Sequence, residues 1–130
     1  MPYQASFFQL PCGARCSRVD ASGNFSGEDA AALIKDWEAG GPLHGMPALV
    51  QTSHMTSASS DARRLFSRRP DPGREEPWVA VVVTNPMIRV TVNFVTRIQG
   101  GKKMKLFAGE EESIQWLDDR IREEMAAKAS

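Results

Sequence analysis

The segment 54–61 contains the three residue types of a hydrolytic triad: a histidine, His54, two candidate serine nucleophiles, Ser59 and Ser60, and an aspartate, Asp61. A triad depends on geometry and on a strained nucleophile, and no Gly-x-Ser-x-Gly turn is present to supply one. A loop histidine that forms local hydrogen bonds is the more frequent structure. The sequence therefore predicts no catalytic residue, and we expect the protein not to be an enzyme.

The same serines suggest a regulatory site. Ser57, Ser59 and Ser60 precede a predicted helix, where free N–H groups and the helix dipole favour a phosphate group. Arg63 and Arg64 follow about one turn later and are candidate contacts for such an anion or for a partner. The alternative is that Ser59 or Ser60 simply caps the helix, which is a common role for serine at that position.

Four side chains have metal-binding chemistry: Cys12, Cys16, His44 and His54. The Cys-x3-Cys spacing and the wide gaps are unlike those of structural zinc sites, so we expect no metal and no cofactor. Two cysteines also make no disulfide framework, and the first ten residues lack the basic and apolar regions of a signal peptide. These features predict a cytoplasmic protein. No apolar run approaches the roughly 18 residues of a membrane span.

Two basic clusters are the candidate anion contacts. The first cluster consists of Arg63, Arg64, Arg68, Arg69 and Arg74. The second consists of Lys102, Lys103 and Lys105. If the clusters meet, they could hold an anion, an acidic partner or a lipid headgroup at the membrane surface; otherwise they are solvated faces. Sixteen basic residues balance sixteen acidic ones, and no interleaved aromatic residues are present, so nucleic acid is not the expected partner.

The elements that position these residues can be predicted from periodicity. Ser26 caps a helix whose apolar face repeats at Ala30, Leu33, Ile34 and Trp37. A short strand at 46–51 precedes the hydroxyl-rich run, and a second helix ends before Pro70 because proline and its predecessor disfavour helix. The continuous apolar run 78–83 predicts a strand that is buried on both faces.

The segment 85–99 fits two structures. Its alternating apolar residues suit a β-hairpin, but only a helix also explains Val95 and Ile98, so we predict a helix. One broad arc of that helix is apolar and includes Met87, Val92, Phe94, Val95 and Ile98. This arc is core, the lining of an apolar pocket or a homodimer interface. Trp116, nearly opposite the apolar face of the last helix, is a further candidate for such a contact.

The remaining segments complete one α/β domain. Residues 1–13 form a loose lead-in or an edge strand, and 14–25 form a strand or hairpin with a turn at 22–24. A short strand at 103–107 leads into a helix that begins near Glu110. The core face of this helix consists of Ile114, Leu117, Ile121 and Met125. The alternation of strands and helices predicts a layered α/β fold.

This pattern resembles the SpoIIAA-like branch of the STAS/SEC14-like domains. The resemblance covers about residues 14–121 and is carried by the segments 54–66, 78–84 and 92–101, followed by a short strand and a helix that contains Trp116. It implies a mixed sheet of about four to five strands with about four flanking helices. The domain is expected to span residues 14–127.

The resemblance also implies two non-catalytic functions. Anti-sigma-factor antagonists of this group carry a regulatory serine or threonine at the strand–helix junction, which here is 57–64, and bind a protein partner there. Many have an Asp-Ser-x-Gly-like motif, whereas this chain has Ala58-Ser59-Ser60-Asp61. The SEC14-like side implies instead a carrier or sensor of an apolar small ligand or lipid, including an anionic one, beneath helix 85–99.

Overall fold

A five-stranded sheet with helices on both faces forms the described part of the chain. The computed structural model describes residues 3–38, 40–66, 77–99 and 103–129, and within 94–99 it describes the backbone alone. The elements in chain order are β1 Tyr3–Gln9, β2 Arg15–Phe25, α1 Gly27–Trp37, β3 Ala48–Ala58, α2 Ser60–Phe66, β4 Val79–Val82, α3 Pro86–Gln99, β5 Met104–Phe107 and α4 Glu110–Ala129.

The sheet is mixed, with strand order β1-β2-β3-β4-β5. β1 pairs antiparallel with β2, and the other neighbouring strands pair in parallel. The predicted α/β class with a mixed sheet and four flanking helices is confirmed. Because each parallel strand leads directly into a helix, α1, α2, α3 and α4 all begin near the carboxyl edge of the sheet.

The two faces of the sheet bury separate apolar cores. α1, α2 and α3 cover one face, where Val19, Val81 and Ile88 belong to the larger core. α4 covers the opposite face, where Leu49 and Leu117 belong to the smaller core. Successive right-handed crossovers in one direction along the sheet place their helices on the same face, which accounts for the grouping of α1 to α3.

Three predicted elements are confirmed with their causes. Ser26 caps α1 in a reciprocal capping box with Asp29, in which each side chain accepts a backbone N–H of the other residue. β4 is buried at all four positions, as its unbroken apolar sequence predicts. The segment 85–99 is helical, and the Asn85 side chain accepts the N–H of Met87 in its first turn at 2.9 Å.

β3 is longer than predicted, because it extends through most of the hydroxyl-rich run to Ala58. The sequence predicted a strand at 46–51 only. The second half of β3 is held by the distal half of β2, which pairs with it from Ser22–His54 to Phe25–Ala58, with register shifts between Asp20 and Ser22 and between Gly23 and Asn24. The predicted turn at 22–24 is wrong: Gly23, with φ of 62°, lies at this irregularity within β2.

Two methionines predicted to lie on apolar helix faces are exposed. Met87 in α3 has 77% of its surface exposed, and Met125 in α4 has 53% exposed. Met125 lies beyond the sheet because the 20 residues of α4 span about 30 Å, whereas the four-residue strands β4 and β5 beneath it span about 13 Å. Met87 lies in the first turn of α3, where the neighbouring Ile88 is the residue that is buried in the core.

Candidate functional site

An apolar cavity of about 110 Å³ lies between the sheet and the helices α1, α2 and α3. All four parallel strands and all three helices contribute to its wall. The lining residues are Val19, Ala21, Phe25, Leu33, Trp37, Val50, Thr52, Met55, Ala58, Ala62, Arg63, Phe66, Val79, Val81, Ile88, Thr91, Val92 and Met104. Most of these side chains are hydrocarbon, so the cavity favours apolar contents.

Small side chains and a group of aromatic rings shape this cavity. Ala21 and Ala62 are buried residues of its wall that fill little space. Phe25 packs against Phe66 with ring centroids 5.9 Å apart and against Tyr3 at 6.1 Å, which connects β1, β2 and α2. The rings therefore support one part of the wall, while the alanines leave the volume beside it unfilled.

The few polar groups of the lining mostly have partners within the fold. The hydroxyl of Thr52 donates to the carbonyl oxygen of Val82 at 2.7 Å. The hydroxyl of Thr91 donates to the carbonyl oxygen of Met87 at 3.3 Å. The indole Nε1 of Trp37 is buried and has no hydrogen-bond partner among the described residues. Trp37 was predicted only as part of the apolar face of α1, and periodicity cannot show an unpaired donor.

The three predicted regulatory serines have different local roles. The hydroxyl of Ser57, at the end of β3, donates to Asn24 of the neighbouring strand at 2.8 Å. The hydroxyl of Ser59 accepts the N–H of Ala62 at 3.1 Å and so caps α2. Ser60 is exposed at the first position of the helix. The capping role is therefore observed for Ser59, and phosphorylation stays a prediction.

The two basic clusters are not brought together among the described residues. Arg64 forms an ion pair with Asp61 within α2. Arg63 is exposed and contributes to the cavity wall on the same face. Lys103 precedes β5 at the amino end of the sheet, where its Nζ lies 5.0 Å from the Trp78 ring on the α4 side. The predicted partners Lys102, Arg68, Arg69 and Arg74 lie outside the described residues.

The predicted apolar group of helix 85–99 is divided by the structure. Val92 lines the cavity, whereas Met87 is exposed. The side chains of Phe94, Val95 and Ile98 lie outside the described residues.

Trp116 does not belong to that apolar group, because α4 places it on the opposite face of the sheet. Its ring packs against Trp78 at 5.7 Å, nearly perpendicular, and against Phe107 at 5.6 Å. Its position nearly opposite the predicted core face of α4 does not leave it unpartnered, because Trp78 and Phe107, near the ends of β4 and β5, contact its ring.

The residue types of a triad and of a metal site are dispersed. His54 is exposed on β3, and none of its described neighbours in sequence, Ser59, Ser60 or Asp61, is hydrogen-bonded to it. His44 contacts the carbonyl oxygen of Trp37 through Nδ1 at 3.1 Å. Within residues 3–38, 40–66, 77–99 and 103–129, no three His, Cys, Asp or Glu side chains are grouped to hold a metal ion.

Burial and ion pairing shift the pKa values of several groups outside the cavity, among them Cys16, Asp118 and Arg18. Burial raises the pKa of the Cys16 thiol to about 12. The Arg122 guanidinium, with Nε 2.6 Å from Asp118, lowers the pKa of that buried carboxyl group, which also accepts the N–H of Cys12 at 2.8 Å. Hydrogen bonds to Asp20 and Glu110 raise the pKa of Arg18. These groups lie on the α4 side of the sheet, on the face opposite the cavity.

No helix in the described part of the chain is both long enough and apolar enough to cross a lipid bilayer.

Comparisons with known proteins identify the fold and the family. No curated protein matches the chain. A solved structure that is similar to it is an uncharacterised protein of the DUF3478 family from Shewanella loihica PV-4, described as having a SpoIIAA-like fold. The two share 16% identity over 88% of this chain and 93% of the other, with a TM-score of 0.61. This likeness confirms the STAS/SpoIIAA-like fold. Residues 20–121 match the profile of a domain of unknown function, and the chain belongs to that family, DUF7793.

Proposed function

We propose that this protein is a non-catalytic binding domain that holds a small apolar molecule between its sheet and the helices α1 to α3. The observation that carries the proposal is the cavity of about 110 Å³ and its hydrocarbon wall. The cavity is partly open to its surroundings, and the side chains of its wall that face no neighbour lack contacts that a close-packed core would make. A ligand that fills the cavity would restore those contacts and stabilise the fold.

The size of the cavity limits the ligand. An apolar cavity of roughly 150 Å³ admits benzene or xenon and excludes water. The present cavity is somewhat smaller, so its described part suits a single small ring or a short branched chain. A long lipid chain would extend beyond the walls described here.

The chemistry of the wall supports a non-catalytic role. Its described polar side chains are Trp37, Thr52, Arg63 and Thr91, and both hydroxyl groups donate to backbone carbonyl oxygens. Neither threonine hydroxyl is hydrogen-bonded to a histidine or carboxylate side chain among the described residues, so no nucleophile–base pair is formed there. The wall can therefore select a molecule by shape and polarity without transforming it.

The experiment that tests the proposal is thermal unfolding in the presence of methylenecyclopentane, a small apolar ring. Binding to the folded state alone raises the midpoint temperature in proportion to the logarithm of ligand concentration. We expect this rise in the wild-type protein. The variant Ala62→Leu places a larger side chain in the cavity wall, so its midpoint should not respond to the ligand.

Ala32→Leu is the matched control, because Ala32 is exposed on α1 and the substitution leaves the cavity unchanged. This variant should respond as the wild type does. Ala21→Val provides a second, smaller obstruction in case Ala62→Leu does not fold. A wild-type midpoint that is independent of ligand, or an equal response in all variants, would contradict the proposal.

A second candidate function is binding of a protein partner at the carboxyl edge of the sheet, around 57–64 and the start of α3. Two large apolar side chains one turn apart favour it: Met87, 77% exposed, and Val90, 70% exposed. The exposed Ser60 lies at the same edge, at the start of α2. A phosphate there would change the charge of this edge.

Native mass spectrometry of the protein purified gently from its own host tests this second function. A specific co-purifying chain that is lost in Val90→Lys and in Ser60→Asp would support partner binding at this edge. A second copy of the same chain would identify the partner as a homodimer. If both variants retain the same partner as the wild type, the binding surface lies elsewhere.

The proposal includes a reducing compartment, which we infer to be the cytoplasm. Cys12 and Cys16 are both free thiols, and Cys16 is completely buried in the core on the α4 side. Free thiols persist in the cytoplasm, where cellular reductants maintain them, whereas secreted domains of this size often pair their cysteines.

A further inference from the structure

The outer edge of β1 is left uncovered by the described part of the chain. β1 lies at one end of the sheet and pairs along its whole length with β2, without a register shift. Residues 4–7 are all exposed. The Arg15 guanidinium lies 4.2 Å from the centre of the Phe7 ring and still leaves 42% of that residue exposed. Among the described residues, β1 therefore has a strand partner on one side only.

Hydrogen bonds next to β1 show which of its backbone groups face this free edge. Leu10, which follows β1, donates its N–H across the turn to Ala14 at 2.8 Å. Ser17 of β2, opposite Phe7, instead donates its N–H to Pro47 on the β3 side at 2.9 Å. Hydrogen-bonded and non-hydrogen-bonded pairs alternate along an antiparallel ladder, so both observations place Phe7 in a non-hydrogen-bonded pair. Its N–H and carbonyl oxygen, and those of every second residue of β1, therefore point away from β2.

β1 lacks the features that usually prevent such an edge from pairing with another strand. Natural edge strands are short, carry charged side chains, or are interrupted by a proline or a bulge. The strand at the other end of the sheet, β5, has four residues and includes the exposed Lys105. β1 has seven residues, with no charged side chain and no proline, and its register with β2 is unbroken. Of the two outer strands, β1 is therefore the one that is open to pairing.

We propose that two copies of this chain associate through β1, which pairs antiparallel with β1 of the second copy and joins the two sheets into one. Such pairing is self-complementary about a two-fold axis. With the axis at Ser6, the centre of the strand, Phe7 faces Ala5 of the second copy, and outward backbone groups oppose one another. Tyr3 faces Gln9 in the same way. No charged side chains of β1 are opposed, and the Phe7 ring gains a small apolar neighbour.

This inference goes beyond the proposed function and does not depend on the cavity. A second copy is favoured over an unrelated extended peptide, because backbone pairing alone selects no sequence and β1 has no charge that would attract a foreign segment. Identical edges, in contrast, always offer each other the same row of donors and acceptors. The expected assembly is a homodimer with a continuous sheet.

Cross-linking at Ser6 tests the partner and the register together. In the proposed dimer the two Ser6 residues form a non-hydrogen-bonded pair, whose Cα atoms are about 4.5 Å apart and within reach of a disulfide bond. Ser6→Cys in a Cys12→Ser background should therefore form a covalent dimer under mild oxidation, detected by non-reducing electrophoresis. Gln4→Cys in the same background is the matched control. Gln4 is also exposed, but four residues of strand, roughly 13 Å, separate it from its counterpart.

Sedimentation equilibrium measures the association itself. We expect a reversible monomer–dimer equilibrium for the wild type and a dissociation constant about tenfold higher for Ala5→Lys. This substitution adds an edge lysine, and the two lysines would be diagonal neighbours across the axis, where like charges repel. Val90→Lys adds the same charge at a position on α3 that is 70% exposed, so it should associate as the wild type does.

Other results overturn the inference. A wild type that stays monomeric at every concentration shows that β1 does not pair with itself. Equal cross-linking of the Ser6→Cys and Gln4→Cys variants shows that the two copies are not paired in the register centred on Ser6. If Val90→Lys weakens the dimer and Ala5→Lys does not, the copies associate through α3 instead. The response of the fold to methylenecyclopentane is independent of all these results.

Discussion

At the scale of single residues, the two cysteines lie close in sequence and in opposite environments. Cys16 is completely buried in β2, and burial raises the pKa of its thiol to about 12. Cys12 is half-buried, in the turn between β1 and β2. Only the thiolate form reacts with alkylating reagents, so accessibility and ionisation both protect Cys16 in the folded protein.

We predict that iodoacetamide at pH 8 modifies Cys12 in the native protein and modifies Cys16 only after unfolding. Intact-mass measurement over time should show one rapid addition, which Cys12→Ser abolishes. Rapid native labelling of Cys16 would contradict the placement of β2.

The raised pKa of Cys16 also makes the stability of the fold depend on pH. The thiol ionises near pH 9.0 in the unfolded chain and near 12 in the folded protein. The stabilising contribution of the buried, protonated thiol is therefore complete below pH 9 and is lost as the pH rises from 9 to 12.

The Asp118 carboxylate connects the β1–β2 turn to α4. It accepts the N–H of Cys12 and pairs with Arg122, and its pKa is lowered chiefly by the hydrogen bond from Arg122. A lowered pKa stabilises the fold above the ordinary aspartate value, 3.8, and this contribution is lost as the pH falls below that value.

We expect Asp118→Asn to lower the midpoint of thermal unfolding at pH 7, and the difference from wild type to shrink as the pH falls below about 4. Asp119→Asn is the matched control, because Asp119 is exposed and accepts a hydrogen bond from Gln115 on the same helix. Equal effects of the two substitutions at pH 7 would show that the Cys12–Asp118 connection does not stabilise the protein.

At the scale of elements, α1 and α2 begin side by side at the carboxyl edge of the sheet. A Cβ atom at Gly27 would lie 2.8 Å from the Cβ of Asp61, which is closer than real Cβ contacts allow. Glycine at the first position of α1 therefore permits the first turns of the two helices to approach. Because α1 and α2 form part of the cavity wall, this contact also positions Phe66 and Ala62.

Gly27→Ala should destabilise the fold by about 1–3 kcal/mol, the usual cost of an overpacked contact, minus a gain of up to about 1 kcal/mol for alanine in a helix. Chemical denaturation measures this difference. In an Asp61→Gly background, which removes the opposing Cβ, the same substitution should cost less. An unchanged cost in that background would show that the first turns are not in contact as described.

The elements that sequence patterns predicted well are those with strong local signals. The Ser26 capping box, the apolar run of β4 and the helix over 85–99 each depend on neighbouring residues alone. The second half of β3 could not be predicted in this way, because its polar residues are extended only through pairing with β2. The surroundings of Trp116 depend likewise on Trp78 and Phe107 from two distant strands.

At the scale of the whole molecule, the cavity arises where seven elements meet. The sequence predicted an apolar pocket beneath helix 85–99 through its family resemblance, and Val92 is in fact part of the wall. The remaining wall comes from residues predicted only as core, such as Val19, Phe25 and Ala62. An unfilled volume depends on how helices pack on a sheet, and residue spacing along one chain segment does not determine it.

The two faces of the sheet are covered by different helices, and this difference affects where a ligand can enter. α4 and the aromatic group around Trp116 cover the opposite face, together with a core that includes Leu49 and Leu117. The helices over the cavity include the seven-residue α2, which has fewer internal hydrogen bonds than α4. We therefore expect ligand entry to involve α2 and α3, while α4 and the sheet remain fixed.

Diffraction from crystals pressurised with xenon tests the central claim most directly, because xenon enters apolar cavities and is located by its electron density. We predict a xenon atom between the sheet and α1 to α3, in contact with Val81, Ile88 and Phe25. In crystals of Ala62→Leu the same site should be empty. If wild-type crystals show no xenon there, with side chains filling the space between sheet and helices, the claim that this domain holds a small apolar ligand is contradicted.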